Sequence, residues 1–105
     1  NLKAIFAAND GMALGAVESA YAAGKGGNII IVGVDGNSDA VKSIKAGRLN
    51  ASVAQLPYLV GKRAVIGATA ALHGLKLAKF QFVDTLVLTK DVIEKNSHPL
   101  MKYVK

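Results

Sequence analysis

The sequence predicts an α/β fold built on a parallel sheet with flanking helices. Three observations carry it. Short apolar runs alternate with longer helical segments in the order βαβαβαβ, the pattern of a parallel sheet joined by right-handed crossovers. The run Ile29-Ile30-Ile31-Val32-Gly33-Val34 is apolar on both faces, as expected of a strand covered by helices. Glycines stand where the helical segments need to stop, at Gly24, Gly47 and Gly74.

Residues 2–8 read as the first strand. Asn9 and Asp10 follow, and either can cap a helix. That helix is expected to reach residue 23, with Leu14, Val17 and Tyr21 on one face. Lys25-Gly26-Gly27-Asn28 makes a loop before the second strand, residues 29–34. Asn37 and Ser38 are capping residues for a helix over 39–46, whose apolar side holds Ala40, Val41 and Ile44. A short third strand spans 51–54. Pro57 suits the first turn of a longer helix over 57–72. Its small residues, Gly61, Ala64, Gly67, Ala68 and Ala71, predict close packing on a neighbour. A fourth strand is expected over 82–89, then a helical turn over 91–95 and a tail.

At 105 residues the chain has room for one domain at most. It is 51% hydrophobic and 19% charged, which is enough apolar material for a core and unlike a disordered chain. It has no apolar run of membrane-spanning length. It starts Asn-Leu-Lys, with no initiator Met and no signal-type apolar stretch, so a mature, excised or truncated chain is expected. The lack of cysteine excludes disulfides, thiolate catalysis and Cys-ligated zinc. The net charge is +6, but the 13 Lys and Arg are scattered with no basic block. A solvated basic surface is expected, and no nucleic-acid partner.

The end of each of the first three strands carries a polar residue: Asn9, Asp35 and Gln55. They lie 26 and 20 residues apart, about one strand-helix unit each. In a parallel α/β sheet such ends share one edge, and ligands bind outside the carboxyl ends of the strands. A charge at the end of an apolar strand is costly unless something binds it. The three suit a polyol. Asp35 can accept two hydroxyl hydrogen bonds, and Asn9 and Gln55 each offer a donor and an acceptor. The alternative is that Asn9 and Asp35 only cap helices; Gln55, just before Pro57, has no such role.

Other features carry less. Gly24-Lys25-Gly26-Gly27 follows a helix and precedes a strand, the reverse of a phosphate-binding loop, and lacks the GK[ST] ending. His73 and His98 have no helical i, i+4 partner, so no metal site is expected; His73 reads as a helix-end cation. The serines lack a nucleophile-elbow context. No acid/base pair stands out, so no enzyme and no cofactor is expected.

AIFAANDGMALGAVESAYAAGKG, then IIIVGVDGNSDAVKSIKAGRLNASVAQLP, resembles the C-terminal part of periplasmic sugar-binding proteins of the ribose-binding type. The resemblance runs over residues 2–89 and rests on FAANDxMALGA, the VGVDG turn and the AQLP segment. It implies that Asn9, Asp35 and Gln55 are sugar ligands. It implies a Rossmann-like lobe of a two-lobed protein that closes around a monosaccharide, a pentose or hexose. Residues 1–56 would be the second half of the C-terminal ligand-binding lobe. Residues 57–82 would be a helix and connection packing on an N-terminal lobe outside this chain. Residues 83–105 would be a hinge-returning strand and tail.

The partners so implied are the sugar, the membrane subunits of an ABC transporter and the other lobe. The implied location is the periplasm, or the outer surface of a Gram-positive cell by a membrane anchor. Self-association of the fragment is expected from the unpaired face of the 57–72 helix. LacI-type transcriptional regulators share the motifs, and an effector-binding domain of that type is the alternative. Those usually read GFDD and Pro-x-LTT where this chain reads VDGN and KAGRLNASVAQLP, which favours transport. A catalytic use of the Asp35 rim is a third reading, disfavoured because no base–nucleophile pair accompanies it.

Overall fold

The computed structural model describes residues 1–104. Four strands form one sheet in the order β1 (Ala4–Phe6), β2 (Ile30–Asp35), β3 (Ala51–Ala54) and β4 (Leu86–Thr89). Between and after them run α1 (Asp10–Ala22), α2 (Ser38–Lys45), α3 (Pro57–Leu72), α4 (Lys90–Lys95) and a 3-10 helix, Pro99–Tyr103.

Local chemistry sets the helix ends. Asn9 Oδ1 accepts the Met12 N–H at 2.8 Å, Asn37 Oδ1 accepts that of Ala40 at 2.8 Å, and Thr89 Oγ1 accepts that of Val92 at 3.3 Å. Each such cap stabilises its helix by about 1 kcal/mol. α1 and α2 stop at the expected glycines. Beyond Gly24, Lys25 N–H donates to the Ala20 carbonyl at 2.8 Å; beyond Gly47, Arg48 N–H donates to that of Ser43 at 3.0 Å. Both close carbonyls that the helix end would leave open.

Helices α1, α2 and α4 lie side by side on one face of the sheet, against β2, β3 and β4 respectively. The core sits between, where Val17, Ile31, Ile44, Leu49, Leu56 and Leu88 are 2% exposed or less. Each such side chain stabilises the fold by about 1.5–3 kcal/mol relative to an exposed one. Phe6, Ile30 and Val87 point to the other face and are mostly exposed. β2 is thus apolar on both sides, as expected, while the described helices cover one.

The fourth strand corrects the all-parallel expectation. β1-β2 and β2-β3 are parallel, but β4 pairs antiparallel to β3, from Ala51↔Thr89 to Ala54↔Leu86. The cause is α3, which does not lie back on the sheet and so makes no crossover. The chain runs out along α3 and returns beside it: Arg63 Nε donates to Gln81 Oε1 at 3.2 Å, and Gly67 lies close to Leu77. It therefore re-enters the sheet in the reverse direction. β4 also starts four residues later than expected, because Phe82, 85% exposed, meets no neighbouring strand.

No residue of α3 is buried. Its small-residue stripe was expected to pack on a neighbour; among the described residues its first turn meets the core at Leu59 and Tyr103 at Tyr58, and further out the returning segment runs beside it. The arm draws the chain out to 59 × 28 × 18 Å.

Candidate functional site

The parallel register sets the site. Phe6 pairs with Val32, so Asn9, just past β1, and Asp35, the last residue of β2, both follow at the carboxyl edge. Asp35 also pairs with Ala54, which puts Gln55 one step past it on the neighbouring strand. Gln55 Nε2 donates to Asp35 Oδ1 at 2.6 Å, and Gln55 N–H reaches the Asp35 carbonyl at 3.4 Å. Both side chains are exposed.

The pair keeps capacity for a ligand. One Asp35 oxygen is engaged by Gln55, and the other remains an acceptor. Gln55 Oε1 is likewise an acceptor. The two side chains line a hollow of about 280 Å³ with Pro57 and Val60. On its other side Asp35 borders a more apolar cleft of about 510 Å³, walled by Asn37, Leu56, Tyr58 and Tyr103. The Tyr58 and Tyr103 rings stack there at 5.4 Å.

Of the three expected residues, the structure brings Asp35 and Gln55 into contact. Asn9 stands on the same edge, but no hydrogen bond joins it to either. Its Oδ1 caps α1, as the capping alternative held, and its Nδ2 remains a donor. The capping alternative fails for Asp35, since Asn37 caps α2.

Two residues behind the edge escaped the sequence reading. Asp10, the first residue of α1, is completely buried, as is Ser52 in β3. Ser52 Oγ–H donates to Asp10 Oδ1 at 2.6 Å, and Asn37 N–H donates to Asp10 Oδ2 at 2.8 Å. Gly36 N–H donates to Ser52 Oγ at 3.0 Å. The signal in the sequence was Gly33, in the middle of an apolar strand, where glycine marks a close approach. A Cβ at Gly33 would overlap Asp10 Oδ1.

Asp35 has φ 127°, a conformation L-residues rarely adopt, and Gly36 follows at φ 75°. A Cβ on Gly36 would lie 2.6 Å from that of Ala54, so this position takes only glycine. Leu56 has φ 53° and its side chain is buried, which anchors the point where α3 leaves the sheet.

A short, mainly parallel sheet with an acid–amide pair on its carboxyl edge has its polar groups where open α/β domains take up ligands. Residues 1–76 match the periplasmic binding protein domain, and the chain belongs to that family. It is 49% identical over 79 residues to the ribose import binding protein RbsB of Bacillus subtilis (strain 168), which covers 75% of this chain and 25% of that protein. A periplasmic ribose ABC transporter structure from Conexibacter woesei DSM 14684 superposes with a TM-score of 0.84 at 26% identity, over 96% of this chain and 35% of that one. An ABC transporter periplasmic solute-binding protein from Actinobacillus succinogenes 130z, with bound D-allose, gives 0.80 at 32% identity, over 90% and 34%. The chain thus spans between a quarter and about a third of these proteins. No helix among the described residues is long and apolar enough to cross a membrane.

Proposed function

We propose that this chain is the sugar-contacting edge of a two-lobed binding protein that captures a pentose or hexose for an ABC transporter, outside the cytoplasmic membrane. The observation that carries it is the Asp35–Gln55 pair on the carboxyl edge, 2.6 Å apart with acceptors to spare. Asp35 would accept hydroxyl protons from the sugar. Asn9 Nδ2 would donate to a ring or hydroxyl oxygen, and Gln55 Oε1 would accept. No bond of the sugar is made or broken.

The family membership and the names of the relatives, two of ribose and one with bound D-allose, support this class of ligand. Residues 1–56 supply the edge. Residues 57–82 would meet the other lobe, which fits a helix with no fully buried residue in this chain. Residues 83–105 return through the hinge. Closure of two lobes on the sugar would give the membrane subunits a bound form to distinguish from the open one.

The test is a thermal melt of the chain, and of the two-lobed protein, with and without D-ribose and D-allose. Binding to the native state raises the midpoint by mass action. A shift that shrinks in Asp35→Ala, where binding is weakened but still measurable, supports the reading. A two-lobed protein that melts alike with and without every pentose and hexose overturns it.

A further inference from the structure

We infer that Asp10 and Ser52 form a positioning device that holds Asp35 in its unusual backbone conformation for the sugar, which rests on Asp35 being a sugar ligand. Asp10 is completely buried and joins no ion pair found among the described residues. A buried carboxylate without a cation needs hydrogen-bond donors on both oxygens. As the first residue of α1 it also gains from the helix dipole. Its donors, however, come from β3 and from the turn after β2.

Those donors fix the two peptides directly after Asp35. Asn37 N–H bonds Asp10 directly at 2.8 Å, and Gly36 N–H is held through Ser52 Oγ, itself bonded to Asp10. On its other side Asp35 is fixed by pairing with Ala54. A residue at φ 127° stays there only where its surroundings over-determine it. Here the over-determination is a chain of hydrogen bonds ending on one carboxylate. Gly33 leaves the room that carboxylate occupies. With the turn released, Asp35 would relax toward ordinary backbone angles and its carboxylate would leave the Gln55 side.

The device acts through Asp35 and not on the sugar, which gives it a distinctive test. Asp10→Asn keeps the shape but offers one acceptor oxygen for two donors. In the full-length protein, D-ribose affinity by calorimetry should fall about tenfold, the equivalent of one strong hydrogen bond. Amide exchange at Gly36 and Asn37 should speed up by a similar factor. In an Asp35→Ala background the same Asp10→Asn change should alter affinity less than about twofold, because coupled residues are not additive.

Ser52→Ala is the second variant, should Asp10→Asn fail to fold. It should expose the Gly36 amide to exchange, keep that of Asn37 protected, and weaken binding in wild type but not in Asp35→Ala. Equal affinity losses in both backgrounds, or unchanged exchange at Gly36 and Asn37, overturn the inference. If the wild type binds no sugar, the sugar reading falls, and the exchange data alone decide whether Asp10 holds the turn.

Discussion

Gln55 and Asp35 meet side chain to side chain at 2.6 Å, although 20 residues separate them. The contact makes the amide both a ligand of its own and a support for the carboxylate. Gln55→Ala should therefore weaken D-ribose binding about tenfold, the cost of one hydrogen bond to a charged group. Gln55→Glu should do more harm near neutral pH, because two carboxylates at this spacing repel. Calorimetric titrations of both variants near neutral pH check the order.

Glycines at two positions should respond oppositely to the same change. Gly33→Ala drives a methyl into Asp10 and to 2.9 Å from the Ala13 Cβ, inside the core. Overpacking of this kind destabilises by about 1–3 kcal/mol. Gly15, in the middle of α1, has nothing within 4 Å of the place a methyl would take. Gly15→Ala should stabilise by about 0.5–1 kcal/mol, since alanine is the better helix former. Urea unfolding midpoints should move down for the first and up for the second.

The parts of the fold that were legible in the sequence are those with local causes. Asn9 and Asn37 cap, Gly24 and Gly47 terminate, and Pro57 opens α3, because each acts within a few residues. The parallel pairing of β1, β2 and β3 followed from their alternation with α1 and α2, and it put Asp35 and Gln55 together. The direction of β4 was not legible, because it depends on where α3 points. A helix of small and apolar residues reads the same whether it lies on its own sheet or on something else. The buried role of Asp10 was not legible, because the Asn-Asp dipeptide offers two caps, and only the tertiary fold shows that Asn9 takes that role while Asp10 turns inward.

The α3 arm should make the isolated chain self-associate. Val65, Ile66 and Leu72 are exposed along it, and Phe80 and Phe82 stack beside it at 6.3 Å. Contiguous apolar surface of this kind draws partners. Sedimentation at rising concentration should show a growing average mass. Val65→Lys with Leu72→Lys should return it toward the monomer without lowering the unfolding midpoint, since α3 buries no residue and lysine is a good helix former. A monomer at every concentration for the unaltered chain would count against the arm as a contact surface.

Glu18 and Arg48 tie α1 to the turn after α2, and their contribution should depend on pH in a definite direction. Arg48 Nη1 lies 2.8 Å from Glu18 Oε1 and Nη2 donates to Oε2 at 2.9 Å, a two-pronged contact, while the guanidinium sits 4.6 Å over the Tyr21 ring. The hydrogen bond from Arg48 holds the Glu18 carboxyl below its ordinary value, and the same bond raises the Arg48 guanidinium. A carboxyl with a lowered folded-state value contributes stability that is fully present above its unfolded-state value. That contribution is lost as pH falls through the folded-state value. Glu18→Gln should therefore be less stable than the parent at pH 7. The gap should close as the pH is taken down through the carboxylate range, and it should also shrink in high salt because the pair is open to solvent. Urea melts of the two proteins at pH 7 and pH 3, at low and high salt, read this directly. A gap that stays undiminished at pH 3 and in high salt would assign the effect of the substitution to something other than the ion pair.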